Sequence, residues 1–267
     1  MSVIVLSGTG AVQADGRIGF HNLFTESTAT VTASGETADY EKENAYDWKQ
    51  YDWWKHDITG TSWLRASFPG AVAADYLCVF GHNLHEVGGS VKPQYSTDGG
   101  ANWVDAAAFI APDSGRTLFV GFDSVLGADW RCLIVTTTGP AVIAGIMIGR
   151  AMVFERDVQS GFEPPTLSPN IETKTAMSEM GVNLGSSNIS TGLSGTITLA
   201  NVTSGWVRDE WKPLIDHLNR GYPCAFAWDY ISHPEESCLI WKTRDIGKPS
   251  NTSRKYMTVD FQYEGIL

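Results

Sequence analysis

The feature that most constrains the fold is a series of short apolar segments that recurs along the first 150 residues. These segments are residues 27–34, 62–68, 75–84, 90–96, 116–122, 130–137 and 141–150, and Gly, Asp, Asn or Pro separates them. Short segments at this even spacing, rich in β-branched and aromatic residues, are typical of strands joined by turns. No long helical period of apolar residues appears before residue 200. The pattern predicts a β-sandwich or jelly roll.

A change of composition divides the chain into two blocks. Residues 156–192 are rich in Pro, Gly and Ser, which predicts a linker or extended arm, the alternative being a long surface loop within one domain. We predict a jelly roll over 21–155 and a β-rich assembly domain over 193–267. The β-rich domain carries one helix at 209–220. Residues 1–20 are predicted as a strand, and whether it joins the C-terminal sheet is left open.

The helix is predicted from its ends and from its apolar stripe. Asp209 is placed to cap it, Pro213 falls in the first turn, and Gly221 ends it. The stripe consists of Trp211, Leu214, Ile215 and Leu218. We expect this helix to take part in assembly with other copies of the chain.

The charge of the chain disfavours nucleic acid as a partner. The sequence has 19 Lys and Arg against 30 Asp and Glu, a net charge of −11, and such a field repels a polyanion. The apolar run at 141–149 is too short to cross a bilayer, and the N-terminus lacks the features of a signal peptide. We therefore expect no membrane insertion and synthesis in the cytoplasm, with all four cysteines as reduced thiols.

The stretch QYSTDGGANW contains the spacing S-x-D-x-G-x-x-W of an Asp-box. Its residues are Ser96, Asp98, Gly100 and Trp103. In such a turn the carboxylate accepts backbone N–H bonds, the glycines allow positive φ, and the Trp packs beneath. Sialidase propellers carry several copies, whereas this chain has one good copy and too little length for the blades. We therefore predict a structural hairpin turn and no catalytic residues.

Residues 47–57, DWKQYDWWKHD, combine carboxylates with aromatic rings. The candidates for an exposed recognition surface are Tyr51, Trp53, Trp54 and His56. Such rings stack on sugars or form protein hot spots when exposed, and the alternative is that they are buried. The carboxylates of Asp47 and Asp52 are the candidate metal ligands.

The order of several motifs resembles the discoidin-like, or galactose-binding-like, jelly roll. They are ENAYDW at 43–48, GTSWLRASF at 60–68 and the stretch at 75–107 that contains the Asp-box. The resemblance covers about residues 20–150 and implies a domain that binds glycans, lipids or protein surfaces and is rarely catalytic by itself. It also implies a structural Ca²⁺ in the loops, with Asp47 or Asp52 as a ligand; no other cofactor is expected.

Other stretches resemble minor tail proteins of tailed bacteriophages, in particular a distal-tail or tail-tip (baseplate) component. They are residues 16–24, 149–162, 206–229, 240–250 and 256–267. The resemblance implies a ring, six- or threefold, beneath the tail tube, with a galactose-binding-like domain on the outside. Its partners would be other copies of the chain, the tail tube and tail-tip proteins, and its location the virion.

The sequence thus leads to three functional hypotheses. The first is a structural virion protein of a phage tail, which is not an enzyme. The second is a carbohydrate-binding module that contacts a host-surface glycan. The third, a glycan-cleaving enzyme, rests only on the Asp-box and on unpaired carboxylates, and ranks last.

Overall fold

The computed structural model describes residues 16–267 except 168, 231, 234, 235 and 254, with no side-chain description for 189–191. The strands are β1 Arg17–Gly19, β2 Thr30–Ala33, β3 Trp54–Lys55, β4 Thr61–His82, β5 Ser90–Ser96, β6 Val104–Asp105, β7 Leu118–Val135, β8 Val142–Gly149, β9 Ala151–Val153, β10 Asn170–Met177, β11 Asn183–Thr203, β12 Cys224–Ala227, β13 Cys238–Lys242, β14 Ser250–Asn251 and β15 Tyr256–Ile266. Two 3-10 turns lie at Leu23–Thr25 and Lys42–Ala45. One helical segment runs through α1 (Ser204–Trp206), a π-helical turn (Val207–Trp211) and α2 (Lys212–Asn219).

The first sheet folds over itself as a sandwich. Its strand order is β3-β8-β4-β7-β5-β6, and β2 pairs with β4. The long strands β4 and β7 cross from one layer to the other, and their pairing register shifts between Ser67 and Val72. Apolar side chains from both layers, among them Leu64, Trp130 and Ile146, form the core between them. Sequence analysis predicted separate strands at 62–68 and 75–84, but β4 continues through Pro69 and Gly70.

The unbroken apolar run at 75–80 is explained by burial on both sides of its layer. Leu77 and Val79 belong to the core of the sandwich. Tyr76, Cys78 and Phe80 point the other way and form a cluster with alanines and leucine of β12 and β13. A strand that is covered on both faces has no polar side and therefore shows no alternation in sequence.

The second sheet has the order β10-β11-β15-β13-β12-β1-β9, and β14 pairs with β15. Ile18 of β1 lies opposite Phe226 of β12 on one side and Met152 of β9 on the other. The chain therefore leaves this sheet after β1, builds the jelly roll and returns as β9. Residues 1–15 of the predicted N-terminal strand lie outside the described residues.

The helical segment covers the far face of the second sheet. Thr203, not the predicted Asp209, is its N-cap, because the Thr203 hydroxyl accepts a hydrogen bond from the Trp206 N–H at 3.3 Å. The predicted assembly stripe is corrected as well: Trp211, Leu214 and Leu218 are buried in this chain's own core, and Ile215 is half-buried against it. These side chains cover the sheet and do not form a contact surface.

Within the segment predicted as a linker or extended arm, residues 170–192 form an exposed hairpin. Strands β10 and β11 pair from Asn170–Gly192 to Met177–Asn183, and all eight residues of β10 are exposed. The exposed apolar side chains at its end are Met177, Met180, Val182 and Leu184. We call residues 170–192 the arm.

The predicted fold class is confirmed. The protein is mainly β, with a jelly-roll sandwich, a second β-rich unit and one helical segment. All four cysteines are buried free thiols. Among the described residues, no helix is long and apolar enough to cross a membrane.

Candidate functional site

A cleft of about 470 Å³ opens where the jelly roll meets the C-terminal end of α2. Its lining residues are Phe20, His21, Asn22, Thr25, Glu26, Trp48, Pro213, Asp216, His217, Arg220 and Tyr222. The cleft is thus built from three segments: the loop after β1, the loop before β3, and the end of the helix. All three are far apart in sequence.

Trp48 forms the aromatic wall of the cleft on the jelly-roll side. Its indole stacks on the ring of Tyr222, with centroids 5.3 Å apart and an interplanar angle of 15°. Its backbone has φ +70°, a left-handed conformation that is rare for a bulky residue and costs about 1–3 kcal/mol. The surrounding contacts hold this conformation, which turns the ring toward the helix.

His217 completes the aromatic wall from the helix side. Its ring lies edge-on to Trp48 with centroids 4.9 Å apart, and its Nε2 is 2.9 Å from the carbonyl oxygen of Pro223. Burial, the chief cause, lowers the pKa of His217, and the nearby charges of His21 and Arg220 lower it further. The neutral imidazole is therefore favoured at neutral pH, with Nε2–H as the donor to the carbonyl.

A polar rim faces this aromatic wall. His21, Thr25, Glu26, Asp216 and Arg220 line the cleft with solvent-exposed side chains. Desolvation is the largest effect on the pKa of His21 and lowers it. The rim therefore offers hydrogen-bond donors and acceptors, both neutral and charged, beside an apolar surface.

The base of the rim is fixed by Asn22. This buried side chain donates to the Ile146 carbonyl at 3.0 Å and accepts from the N–H groups of Phe24 at 3.2 Å and Ile148 at 3.4 Å. The loop after β1 is thereby tied to β8 of the jelly roll. A cleft with one aromatic wall and a fixed polar rim suits a ligand with an apolar face and several hydroxyl groups.

The predicted recognition surface at 51–56 is only partly exposed. Tyr51 is 72% and Trp53 39% exposed, whereas Trp54 and His56 are buried. Trp54 packs in the sandwich core and donates its Nε1–H to the Gly35 carbonyl at 3.1 Å. His56 lies 2.9 Å from the Ser34 hydroxyl through Nε2. Trp54 and His56 are therefore structural, and the prediction was wrong for them.

The predicted metal ligands Asp47 and Asp52 share a lysine. The Lys49 ammonium contacts Asp47 and lies 3.1 Å from the Asp52 carboxylate, and both hydrogen bonds raise the pKa of Lys49. In the described part of the chain, no group of three or more His, Cys, Asp or Glu side chains is arranged to hold a metal ion. The two carboxylates are therefore partners of Lys49 in this structure.

The Asp-box forms a turn between β5 and β6. The Asp98 carboxylate accepts the Asn102 N–H at 2.9 Å, and the Ser96 hydroxyl accepts the Gly100 N–H at 3.0 Å. The hydrogen bonds that the Asp98 carboxylate accepts from Ser96 and Asn102 lower the pKa of Asp98 to about 2. Gly100 has φ +84°. The ring of Trp103 lies against the guanidinium groups of Arg65 and Arg131.

Sequence analysis did not identify the cleft. It included Trp48 in an aromatic segment, but nothing local links that residue to His217 or Tyr222, which lie about 170 residues later. The sequence did indicate that the helix ends at Gly221. The aromatic residue directly after it, Tyr222, is only a weak signal for the aromatic wall of the cleft.

No protein-family model and no curated protein matches the sequence. Solved structures match about half of the chain. A GH29 fucosidase of Ruminococcus gnavus in complex with fucose is 13% identical over 49% of this chain and 27% of its own, with a TM-score of 0.43.

Two smaller proteins match in the same way. The chitosan-binding module 1 of a chitosanase/glucanase from Paenibacillus sp. IK-5 is 19% identical over 48% of this chain and 98% of its own, with a TM-score of 0.40. A pectin-binding carbohydrate-binding module is 19% identical over 45% and 88%, with a TM-score of 0.38. Likenesses of this size carry no function to this chain. They also give no support to the resemblance to phage tail proteins.

Proposed function

We propose that this chain is a non-catalytic carbohydrate-binding protein and that the cleft beside Trp48 holds the sugar. One observation carries the proposal: Trp48 is kept at φ +70° with its indole in the cleft wall, opposite a polar rim. Backbone strain of this kind persists where the surrounding structure enforces it, and it concentrates at functional sites.

The chemistry of the cleft matches that of a sugar ring. A pyranose has an apolar C–H face that packs on an aromatic surface such as Trp48, and a periphery of hydroxyl groups that donate and accept hydrogen bonds. The rim supplies carboxylate acceptors at Glu26 and Asp216 and a guanidinium donor at Arg220. A volume of about 470 Å³ is within the range of small-ligand sites.

The carboxylates of the rim support the proposal of binding without turnover. Glycoside hydrolysis generally uses two carboxyl groups that flank the scissile bond. Asp216 is paired with the Lys212 ammonium at 2.7 Å, and Glu26 is the other carboxylate among the described lining residues. We therefore propose that the chain is not an enzyme.

The test is binding of the full chain to a glycan array, followed by titration with the best ligand. Trp48→Ala should weaken binding at least about tenfold, since a base or ring stacked on an aromatic side chain contributes about 1–3 kcal/mol. Trp53→Ala is the matched control, because Trp53 is exposed on the same loop but does not line the cleft. Equal losses in both variants, or no glycan bound by the wild type, would refute the cleft as the sugar site.

A second proposal concerns assembly and is carried by the arm. We propose that the chain is a structural component of a phage tail, a distal-tail or baseplate protein made in the host cytoplasm. It would form a hexameric or trimeric ring on the tail tube and present the jelly roll to host-surface glycans. The support is that an isolated two-stranded hairpin is marginally stable in water, yet the arm exposes both faces and five apolar side chains, Ile171 and the four at its end.

Light scattering across a wide concentration range, with negative-stain images of the same peak, tests this second role. A closed ring in the wild type, lost when residues 171–191 are replaced by a short Gly-Ser turn, is the expected result. A variant that forms the same ring without the arm would contradict the role of the arm. A strict monomer in both would leave carbohydrate binding as the better-supported function.

A further inference from the structure

The outward face of the jelly roll carries a group of polar and aromatic side chains that shares no residue with the cleft. On the first half of β4, Leu64 and Ala66 are buried in the core, so Trp63, Arg65 and Ser67 point outward. The paired strands β7 and β5 add their own outward side chains. This face has two arginines at its centre, in a chain with a net charge of −11.

Arg65 and Arg131 lie directly opposite each other on neighbouring strands. Like charges in this position repel. Burial is the first cause that lowers the pKa of Arg131 and the charge of Arg65 is the second, while the charge of Asp105 acts in the opposite direction. Each of the two arginines therefore needs interactions that compensate for this repulsion.

Arg65 has a structural explanation. Its guanidinium donates to the Asp129 carboxylate from Nη2 at 2.7 Å and from Nε at 3.2 Å, and Asp129 is almost completely buried. The same Nη2 donates to the Gly99 carbonyl at 2.9 Å. Arg65 therefore fastens the Asp-box turn to the sheet.

Arg131 has no such explanation. Its Nε donates to the Gln94 side-chain oxygen at 2.7 Å, and its guanidinium lies 4.0 Å from the centroid of the Trp103 ring. Within the described ranges, no carboxylate lies at ion-pair distance from Arg131 and its Nη groups have no hydrogen-bond acceptor. Asp105 lies on β6, on the far side of β5, and is engaged by Gln94 at 2.5 Å and by Lys92 at 2.8 Å.

The orientation of Arg131 is nevertheless fixed. The indole of Trp103 supports one face of the guanidinium, and Gln94 is held in turn by Asp105, so the side chain loses little freedom when it binds an anion. A planar guanidinium with free Nη donors forms two parallel hydrogen bonds with a carboxylate. Trp63, two residues before Arg65 on β4, is half-exposed on this face, and the exposed ring of Phe109 lies against Lys92 of β5. Both rings offer apolar contact to sugar rings.

We propose that Arg131 and Trp103 form a binding site for the carboxylate of an acidic glycan, that is, an oligomer containing uronic acid. The site goes beyond the cleft at Trp48 and does not depend on it. The guanidinium binds the carboxylate, and the flanking rings contact the neighbouring sugars.

The test is titration of the full chain with a short uronic acid oligomer and with the same oligomer after reduction of its carboxyl groups. The acidic oligomer should bind at least about tenfold more tightly, because hydrogen bonds to charged groups are stronger than neutral ones. Arg131→Gln should remove that preference, and Arg131→Lys should restore only part of it. Arg150→Gln is the control, since Arg150 is an exposed arginine paired with Glu210 at 3.2 Å.

Equal affinity for the acidic and the reduced oligomer, or unchanged binding by Arg131→Gln, would overturn the proposal. Thermal unfolding of Arg131→Gln at the wild-type midpoint shows that a loss of binding is not a loss of fold. Trp48→Ala should leave the acidic preference intact. If Trp48→Ala removes it instead, the carboxylate binds in the cleft and the site at Arg131 is refuted.

Discussion

Apolar side chains are buried at the centre of the second sheet and exposed at its end. At the centre, Ala225 and Leu239 are buried beneath Tyr76 of the jelly roll. In the arm that extends the same sheet, Met180 is 93% and Leu184 66% exposed. In the first region the chain covers its own apolar side chains. In the second region the apolar side chains are exposed, and such surfaces are typical of contact sites for other molecules. The difference separates side chains that hold the fold from side chains that are available for contacts.

The largest expected effect on stability is that of a substitution at Tyr76, in the covered region. Tyr76 is fully buried, stacks on Phe119 with centroids 5.4 Å apart, and donates its hydroxyl to the His21 carbonyl. Tyr76→Ala should lower the free energy of unfolding by about 3–5 kcal/mol, as other aromatic truncations in cores do. Urea unfolding measures it, and a loss below about 1 kcal/mol would mean that the jelly roll and the second sheet do not support each other.

A pH dependence should follow from His82, another covered residue. The pKa of His82 is lowered from its ordinary value of 6.5 to about 4, mainly because the side chain is buried. The unfolded chain therefore takes up a proton below about pH 6.5 while the folded chain does not until about pH 4. This contribution to stability is complete above pH 6.5 and is lost as the pH falls toward 4.

Between about pH 7.5 and pH 5, we expect His82 to account for roughly 2 kcal/mol of lost stability. The measurement is urea unfolding of the wild type and of His82→Gln at both pH values. The variant should lose less stability than the wild type on acidification. Equal losses would show that His82 is as easily protonated in the folded protein as in the unfolded chain.

A smaller effect distinguishes the true helix cap from the predicted one. Thr203→Ala removes the acceptor of the Trp206 N–H and should cost about 1 kcal/mol, while Thr203→Ser should restore most of it. Asp209→Asn, in the π-helical turn, should change stability by less than about 0.5 kcal/mol. Thermal unfolding in parallel checks the order, and a larger loss at Asp209 would reinstate the predicted cap.

The smallest effect on stability is expected in the arm. Met180→Ser combined with Leu184→Ser should leave the free energy of unfolding within about 0.5 kcal/mol, because neither side chain is buried. The same double variant should reduce self-association in sedimentation velocity. A marked destabilisation in a protein shown to be monomeric would mean that the arm supports its own fold, and the contrast with the covered region would fail.

Local sequence signals were sufficient for the fold class, the Asp-box turn and the existence of the helix, but not for the hairpin at 170–192 or for the continuity of β4. They failed where contacts with residues far away in the sequence determine whether a side chain is buried or exposed. Trp54 and Trp48 stand six residues apart in the same aromatic segment, yet one is buried in the sandwich and the other lines the cleft. Which one is buried depends on β8 and on the helix end, and neither is encoded in that segment.

The helix shows a second reason for failure. Asp209 has the chemistry of a cap, and only the backbone shows that the helical segment already begins at Ser204. The apolar stripe was identified correctly, but a stripe has the same period whether it covers its own sheet or a neighbouring molecule. Pro69 and Gly70 likewise suggested a strand end, whereas the bent β4 accommodates both.

The paired strands β1 and β9 have one more consequence. Gly19 lies opposite Ala151, so the jelly roll is attached at two points that are neighbours in one sheet. Chains tolerate insertions at sites whose ends lie close together. A different domain inserted between Gly19 and Ala151 would leave the hydrogen bonds of β1 and β9 in place, provided that it covers Ala225 and Leu239 as the jelly roll does.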